Sequence, residues 1–444
     1  MSHARIDRRR LLRSTTALAA ASAGMPNSLF GRPSMAQESR SPNARPRVGC
    51  IGLGGMGRGD ARAAKAYGDL VAFCDVDRTH AEQANRDPNL GNGQGAVYED
   101  YRKLLERKDI DVVTISTPDH WHTKICLDAL HAGKDIYCQK PLTLTIEEGR
   151  LLCRAVHETG RVLQVGTQQR SENRNVFLMA VAMVRGGRIG RVRRVTCAIG
   201  GAPAGGPFKT AAVPAHLNWD MWLGQAPKVE YIPERGHANF RWWYEYSGGK
   251  LTDWGAHHVD IAQWAIGMER SGPQWIEPLT AQHPVSLENG NPTAVDRYNT
   301  ATEFLVRCVF PNGVELHIRH DTENGILFEG ENGSFFVSRS KLTGEPVDAL
   351  KQNPLSDSML MALRKGKRLD RHMGNFMECV RDRSLPVSDV FSHHRALTTC
   401  HLANIALRLG RKLQWNPEIE QIVGDSTANA WQAREQRKGY EIEG

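Results

Sequence analysis

From residue 47 the chain alternates short apolar runs with longer stretches whose apolar residues fall at helical spacing. Val48 to Ile51 reads as a buried strand, the glycine-rich turn after it opens an alanine-rich helix, and "LVAFCD" reads as a second strand ending at Asp75. "IDVVTISTP" (110–118) and "DIYCQKP" (135–141) read as further strands, separated by the helical "WHTKICLDALHAG". Strands and helices alternating in this way predict a doubly wound parallel sheet. Beyond about residue 167 the rhythm changes. "VRRVTCAIGG", "TATEFLVRCVF", "VELHIRH" and "GILFEGENGSFFVS" are strand-like without regular helices between them, which predicts a C-terminal α+β domain with a large, mostly antiparallel open sheet. The expected class is α/β, with one domain over 47–166, a second over 167–415, and an extended tail over 416–444 that wraps the body.

Length agrees with two domains, since 444 residues exceed what one core supports. No apolar run approaches the roughly 18 residues of a membrane span, so no stable membrane insertion is expected. The net charge of +8 raises nucleic acid as a partner. The first 36 residues, however, hold six arginines against the single acid Asp7, and the remainder has no basic stripe interleaved with aromatics, so nucleic acid is set aside. That N-terminus, "DRRRLLRSTTALAAASAGM", resembles a twin-arginine export signal, with Arg8 and Arg9 as the pair and Ser34-Met35-Ala36 as a small-x-small cleavage site. Residues 1–36 are therefore expected to engage the twin-arginine export machinery, residues 37–46 to be a linker, and the mature protein to be periplasmic. The nine cysteines lack C-x-x-C pairs and read as buried small hydrophobes.

Candidate chemistry begins at the first turn. Gly52, Gly54 and Gly57 form G-x-G-x-x-G between a strand and a helix, the context in which glycines allow a tight turn, close approach of a pyrophosphate, and helix-on-strand packing. This is a Rossmann dinucleotide site. Asp75, at the end of the second strand, would accept hydrogen bonds from the adenosine ribose and repel a 2′-phosphate. NAD is the expected cofactor, with NADP kept open by Arg58 and Arg78. "GGKLTDWGAHHVDIAQW" (248–264) places Asp253 and His257 one helical turn apart with Asp260 on the same face, while His258 points away.

The glycine loop, "STPDHWH", "AGKDIYCQKPL", "VGTQQR" and "GGKLTDWGAHHVD" together resemble the Gfo/Idh/MocA oxidoreductases, named for glucose-fructose oxidoreductase and inositol dehydrogenase. The resemblance implies Lys140, Asp253 and His257 as catalytic residues, and His122 and Lys140 beside the cofactor. Hydride transfer from a secondary alcohol needs a proton acceptor, here His257, and a donor to the reacting oxygen, here Lys140. Asp253 would orient the imidazole or bind a neighbouring hydroxyl. No metal is expected: His120 and His122 could add ligands, but an Asp, a His and a Lys serve proton transfer without an ion. Gln168 and Arg170 of "TQQRSEN" are read as substrate contacts. So is Trp243, because six of the ten tryptophans (Trp219, Trp222, Trp242, Trp243, Trp254 and Trp264) cluster around the site motif and aromatic faces pack against sugars. One departure stands out, since Gln139 occupies the position of the family's glutamate and removes a charge beside Lys140.

These readings imply an NAD(P)-dependent oxidoreductase acting on CH–OH of a sugar, glycoside or polyol. A second possibility is an NAD-dependent glycosidase or lyase working through a transient keto-sugar with no net redox. A non-catalytic sugar or cofactor binder is a third, against which the three catalytic-type residues argue. The resemblance implies a homodimer or homotetramer built on the open sheet. Export implies a tightly bound nucleotide, with added contacts expected from the linker before Arg47.

Overall fold

Six strands stand in the order β3-β2-β1-β4-β5-β6 with every neighbouring pair parallel: β1 (Arg47–Ile51), β2 (Asp69–Cys74), β3 (Ala96–Tyr98), β4 (Val112–Ile115), β5 (Asp135–Cys138) and β6 (Leu163–Val165). This computed structural model describes residues 45–367 and 371–443. The signal stretch 1–36 and most of the linker lie outside those residues. β4 and β5 are buried at every position, as parallel strands covered on both faces must be. The connecting helices are α1 (Gly55–Lys65), α2 (Arg78–Arg86), α3 (Tyr101–Leu105), α4 (Asp119–His131) and α5 (Ile146–Thr159). The side chains of Asp77, Asp100 and Thr145 accept from first-turn amides of α2, α3 and α5, so local capping chemistry sets where these helices start. Strand order reverses between β1 and β4. In sheets of this kind the crevice beyond that reversal is where ligands bind.

The second sheet has nine strands. In chain order these are β7 (Val192–Ala198), β8 (Trp275–Gln282), then, past a two-stranded hairpin of β9 (Leu287–Glu288) and β10 (Asn291–Pro292), β11 (Glu303–Val309), β12 (Glu315–Arg319), β13 (Gly325–Gly330), β14 (Gly333–Val337), β15 (Leu342–Thr343), β16 (Leu413–Asn416) and β17 (Gln421–Ile422). Their order is β15-β14-β13-β7-β12-β11-β8-β16-β17, antiparallel except for β7 beside β12. The expected parallel sheet followed by a mostly antiparallel one is the fold observed. All nine cysteines are unpaired and eight are buried. Among the described residues no helix is long and apolar enough to cross a membrane.

Packing joins the two sheets more closely than the order along the chain implies. One apolar core runs from Ile115 and Ile136 of the parallel sheet to Phe304 and Ile318 of the antiparallel one. A second core places Met373 and Phe376, from helix Arg371–Asp382, against Val48, Cys50 and Phe73, so a helix late in the chain completes the parallel sheet's cover. Along the chain between β6 and β8 come α6 (Val176–Arg185), α7 (Trp219–Leu223), α8 (Lys250–Asp253) and α9 (Gly255–Ala265). Every residue of α9 is buried, including His257, His258, Asp260 and Gln263, which excludes a solvated face. Near the C-terminus, Arg437 donates to the Gly224 carbonyl (2.8 Å) and Tyr440 meets Trp121 edge-on at 5.8 Å.

Arg170 belongs to this framework. From the turn Gln168–Arg170 its Nε and Nη2 each donate to Asp260 of α9 at 2.6 Å, its Nη1 donates to the Val387 carbonyl at 2.9 Å, and its guanidinium lies 4.8 Å from the Trp264 ring centre. Removing one partner of such a buried pair leaves the other charge uncompensated. Arg170→Ala is expected to lower unfolding free energy by about 3–5 kcal/mol in urea titrations. A loss within about 0.5 kcal/mol, as at an ordinary surface site, would refute a structural role for the pair.

Candidate active site

The glycine loop is built as the chemistry of a dinucleotide requires. Gly52 has φ +80°, and a Cβ there would lie 2.6 Å from the Ser116 backbone. A Cβ at Gly57 would lie 1.8 Å from the Gly52 carbonyl oxygen, so α1 reaches β1 only through a glycine. Gly54 differs. A Cβ there would meet nothing within 4 Å, so nothing in the protein itself excludes a side chain, and the open space lies at the N-terminus of α1, which has no side-chain cap. Uncapped first-turn amides facing open space suit a pyrophosphate. Asp75 lies beside them and holds the loop: its Oδ2 accepts from Leu53 N (2.7 Å) and its Oδ1 from Asp77 N (2.9 Å). Gly52, Gly54, Asp75, Asp119, Gln139 and Lys140 all line one cleft of about 360 Å³.

Lys140 enters this cleft from the end of β5, and its Nζ donates to the Asp253 carbonyl oxygen (2.9 Å) and to Asp253 Oδ1 (2.5 Å). Arg241 donates to the same carboxylate at 3.3 Å. Burial pushes the Asp253 carboxyl up, but Lys140 and Arg241 more than offset it and hold it below its ordinary value. His257 follows one turn later. Trp254, between α8 and α9, keeps helical dihedrals, so the His257 amide still bonds back to the Trp254 carbonyl at 3.0 Å. Burial, reinforced by the charge on Lys140, holds His257 well below its ordinary value, and its Nδ1 is buried without a partner. The imidazole keeps an unused nitrogen and lies behind the cleft wall rather than on it.

The remaining expectations divide. His122 does not line the cleft: its ring is buried, with Nδ1 2.7 Å from the Pro141 carbonyl and Nε2 2.9 Å from that of Thr117, which ties the loops after β4 and β5 together. Arg170 is the structural cation described above, and Asp260 turns to it instead of to Lys140. Gln168 donates to the Tyr137 hydroxyl at 3.1 Å and does not line the cleft. Trp243 is fully buried beneath Arg235, whose guanidinium is 3.9 Å from its ring centre. The tryptophan cluster is mainly core, with Trp219 stacked on Trp222 at 4.6 Å, and only Trp222 of the six lines the cleft.

Sequence reasoning passed over three polar residues that the fold delivers to this place. Asp119 lines the cleft, accepts from the Ser247 hydroxyl (2.6 Å), and is pushed by burial up to about 7. Its signal was present in "TPDHWH", where the histidines drew attention instead. Arg241 has no motif around it. Asp60, on the buried face of α1, accepts from Gln139 Nε2 at 3.0 and 2.9 Å and from the Ser116 hydroxyl at 2.7 Å. The carboxylate missing at position 139 is thus present one residue deeper.

Comparison with known proteins places this geometry. The model described as "Oxidoreductase family, NAD-binding Rossmann fold" matches residues 46–167, and "Oxidoreductase family, C-terminal alpha/beta domain" matches residues 206–302 and 355–442. The chain belongs to the Gfo/Idh/MocA oxidoreductase family and is an NAD-binding enzyme. It is 24% identical to scyllo-inositol 2-dehydrogenase (NAD(+)) of Bacillus subtilis (strain 168) over 352 residues, covering 77% of this chain and 88% of that one. It is 33% identical to an alpha-N-acetylgalactosaminidase of Shewanella oneidensis over 156 residues, a third of each chain. The WlbA dehydrogenase of Chromobacterium violaceum, solved with NADH and UDP-GlcNAcA, superposes with a TM-score of 0.60 at 18% identity, over 84% of this chain and 97% of that one.

Burial pushes Asp60 up to about 6 despite its hydrogen bonds from Ser116 and Gln139. A carboxyl raised on folding binds more protons native than unfolded between its ordinary value and 6, so stability falls as pH rises through that window. Asp60→Asn should remove a fall on the order of 3 kcal/mol between pH 4 and pH 6, seen as the difference between the two proteins' urea-unfolding profiles. Parallel profiles would show that Asp60 ionises as freely in the native state as in the unfolded one.

Proposed function

We propose that this enzyme transfers hydride between a nicotinamide cofactor and a secondary alcohol or hemiacetal carbon of a sugar, glycoside or polyol. The observation that carries the reading is Lys140, locked by Asp253 into the same cleft as the glycine loop. Held against a carboxylate, its ammonium group is a fixed hydrogen-bond donor for the oxygen of the reacting carbon. When bound, the nicotinamide supplies the hydride acceptor. As the C–H bond breaks and C=O forms, the hydroxyl proton must go to a base; we assign that role to His257, whose Nδ1 has no partner and which must turn from behind the cleft wall to reach the substrate. Asp253 fixes Lys140, and Asp119 and Arg241 offer a carboxyl and a guanidinium to neighbouring hydroxyls. The names of the inositol dehydrogenase relative and the sugar-nucleotide-bound structure support this substrate class.

A second reading, glycoside cleavage through a transient keto-sugar, draws on two facts. Asp119 is a cleft carboxyl pushed up to about 7, able to protonate a leaving oxygen near neutral pH, and a glycosidase is among the relatives, matched over a third of its length. The first reading is favoured because the dehydrogenase match spans most of both chains. Following NADH absorbance and released sugar across a panel of sugars and glycosides separates them: NADH accumulation without released sugar supports oxidation, and released sugar without net NADH supports cleavage. Lys140→Ala and His257→Ala are each expected to lower turnover at least about a hundredfold with nucleotide still bound. Near-parental turnover in both would overturn the site.

The export reading adds a requirement. In a periplasm without a nucleotide pool, the cofactor must travel with the protein, which calls for binding on the order of 12 kcal/mol or more. Of the linker, Arg45 donates to the carbonyls of Lys65 (2.7 Å) and Gly68 (2.9 Å) at the far end of α1, so it adds no contact over the cleft. Exposed Trp275 and Leu279 on β8 support the open sheet as the face of a homo-oligomer. Protein purified without added nucleotide and desalted at length is expected to release NAD(H) on denaturation. Apo protein that needs millimolar cofactor for activity would refute tight binding.

A further inference from the structure

Among the described residues, Asp77, His80 and His237 each bring one ligand atom to within 4.8 Å of the others, at the rim of the cofactor cleft and apart from Lys140 and His257. Asp77 Oδ2 is 3.9 Å from His80 Nε2 and 3.6 Å from His237 Nε2. Bonds of about 2.0–2.1 Å from one tetrahedral zinc put its ligand atoms about 3.4 Å apart, so small side-chain adjustments would close this set around an ion.

The groups behind the three donors are arranged as a metal site needs. His80 Nδ1 faces Asp75 Oδ2 at 3.4 Å, so the carboxylate holds the N–H on Nδ1 and leaves the Nε2 lone pair for a ligand bond. Asp77 Oδ1 is held by the Thr79 amide (3.0 Å) and by His216 Nδ1 (2.9 Å), which leaves Oδ2 to face the two imidazoles. Asp77 and His80 belong to the start of α2, whereas His216 and His237 come from segments flanking α7, beyond the parallel sheet. The carboxylate–histidine pairing, mixed N and O donors and small donor number suit a borderline cation such as zinc, and not calcium or magnesium, which take mostly oxygen.

We propose that Asp77, His80 and His237 bind one divalent transition-metal ion of the zinc class at the rim of the nucleotide cleft. The ion clamps the start of α2 to the loop carrying His237 and keeps at least one coordination position for water. Asp75 would then serve two ends, since the oxygen that orients His80 also accepts from the glycine-loop amide of Leu53.

The experiment uses the full-length protein as purified, treated with chelator and desalted, and titrates Co(II) and Zn(II) separately. One equivalent of Co(II) should give the intense visible bands of a four-coordinate site, and Zn(II) should displace it. His80→Ala and His237→Ala should each weaken binding at least about a hundredfold, and His216→Ala by about tenfold. Circular dichroism and thermal unfolding check that each variant is folded, and His237, on an exposed turn, is the one whose loss folding tolerates best. Absence of saturable binding at a single equivalent would overturn the site. So would affinities unchanged in both His80→Ala and His237→Ala, which would place the ion elsewhere.

Discussion

The site depends on one ionic contact across two sheets. Lys140 is fixed at the end of a strand of the parallel sheet, and Asp253 is fixed at the end of a buried helix packed toward the antiparallel one. Their 2.5 Å contact exists only when both sheets are correctly docked. Both side chains are nearly buried, so the pair sits where charge is costly to leave uncompensated and attraction is weakly screened. Arg241 adds a second cation to the same carboxylate. Burial, reinforced by the charge on Lys140, holds His257 below its ordinary value. The fixed donor and the buried imidazole one helical turn beyond its partner are thus consequences of one docking geometry.

That docking is secured elsewhere by Arg170 and Asp260, a role that the sequence pattern does not announce. A polar pair recurring near a cleft motif looks like substrate recognition in sequence, because sequence does not reveal how deep a residue lies. At 2% exposure for Arg170, with three hydrogen bonds and an aromatic face, the guanidinium is spent on holding the turn after β6 against α9. His122 and Trp243 are placed in the same way. Each belongs to a motif or cluster that borders the cleft, yet each turns its polar atoms to backbone carbonyls.

What was legible followed from local rules. The glycines and Asp75 lie close together in sequence, so their joint geometry is set by one strand-turn-helix, and the alternation of elements defined both sheets. β3 and β6, three residues each, are too short for periodicity to register. Contacts between distant segments were the least accessible: Asp60 with Gln139, Asp119 with Ser247, and helix Arg371–Asp382 with the parallel sheet each join parts of the chain that no motif links.

The exchange at position 139 shows why such contacts matter. Read alone, glutamine for glutamate strips a charge from the residue before Lys140. In the folded protein the Gln139 amide donates to both oxygens of Asp60, while a Cβ at Gly166 would approach its Oε1 to 2.8 Å, so the carboxamide is clamped between an acid and a glycine. An amide held this way passes the influence of the buried acid toward the cleft as a dipole, weaker than a full charge at the same place. It does so only while Asp60 is ionised, and burial makes that ionisation costly. Position 139 therefore cannot be interpreted without position 60, and the two together couple the glycine-loop helix to the residue that precedes the lysine.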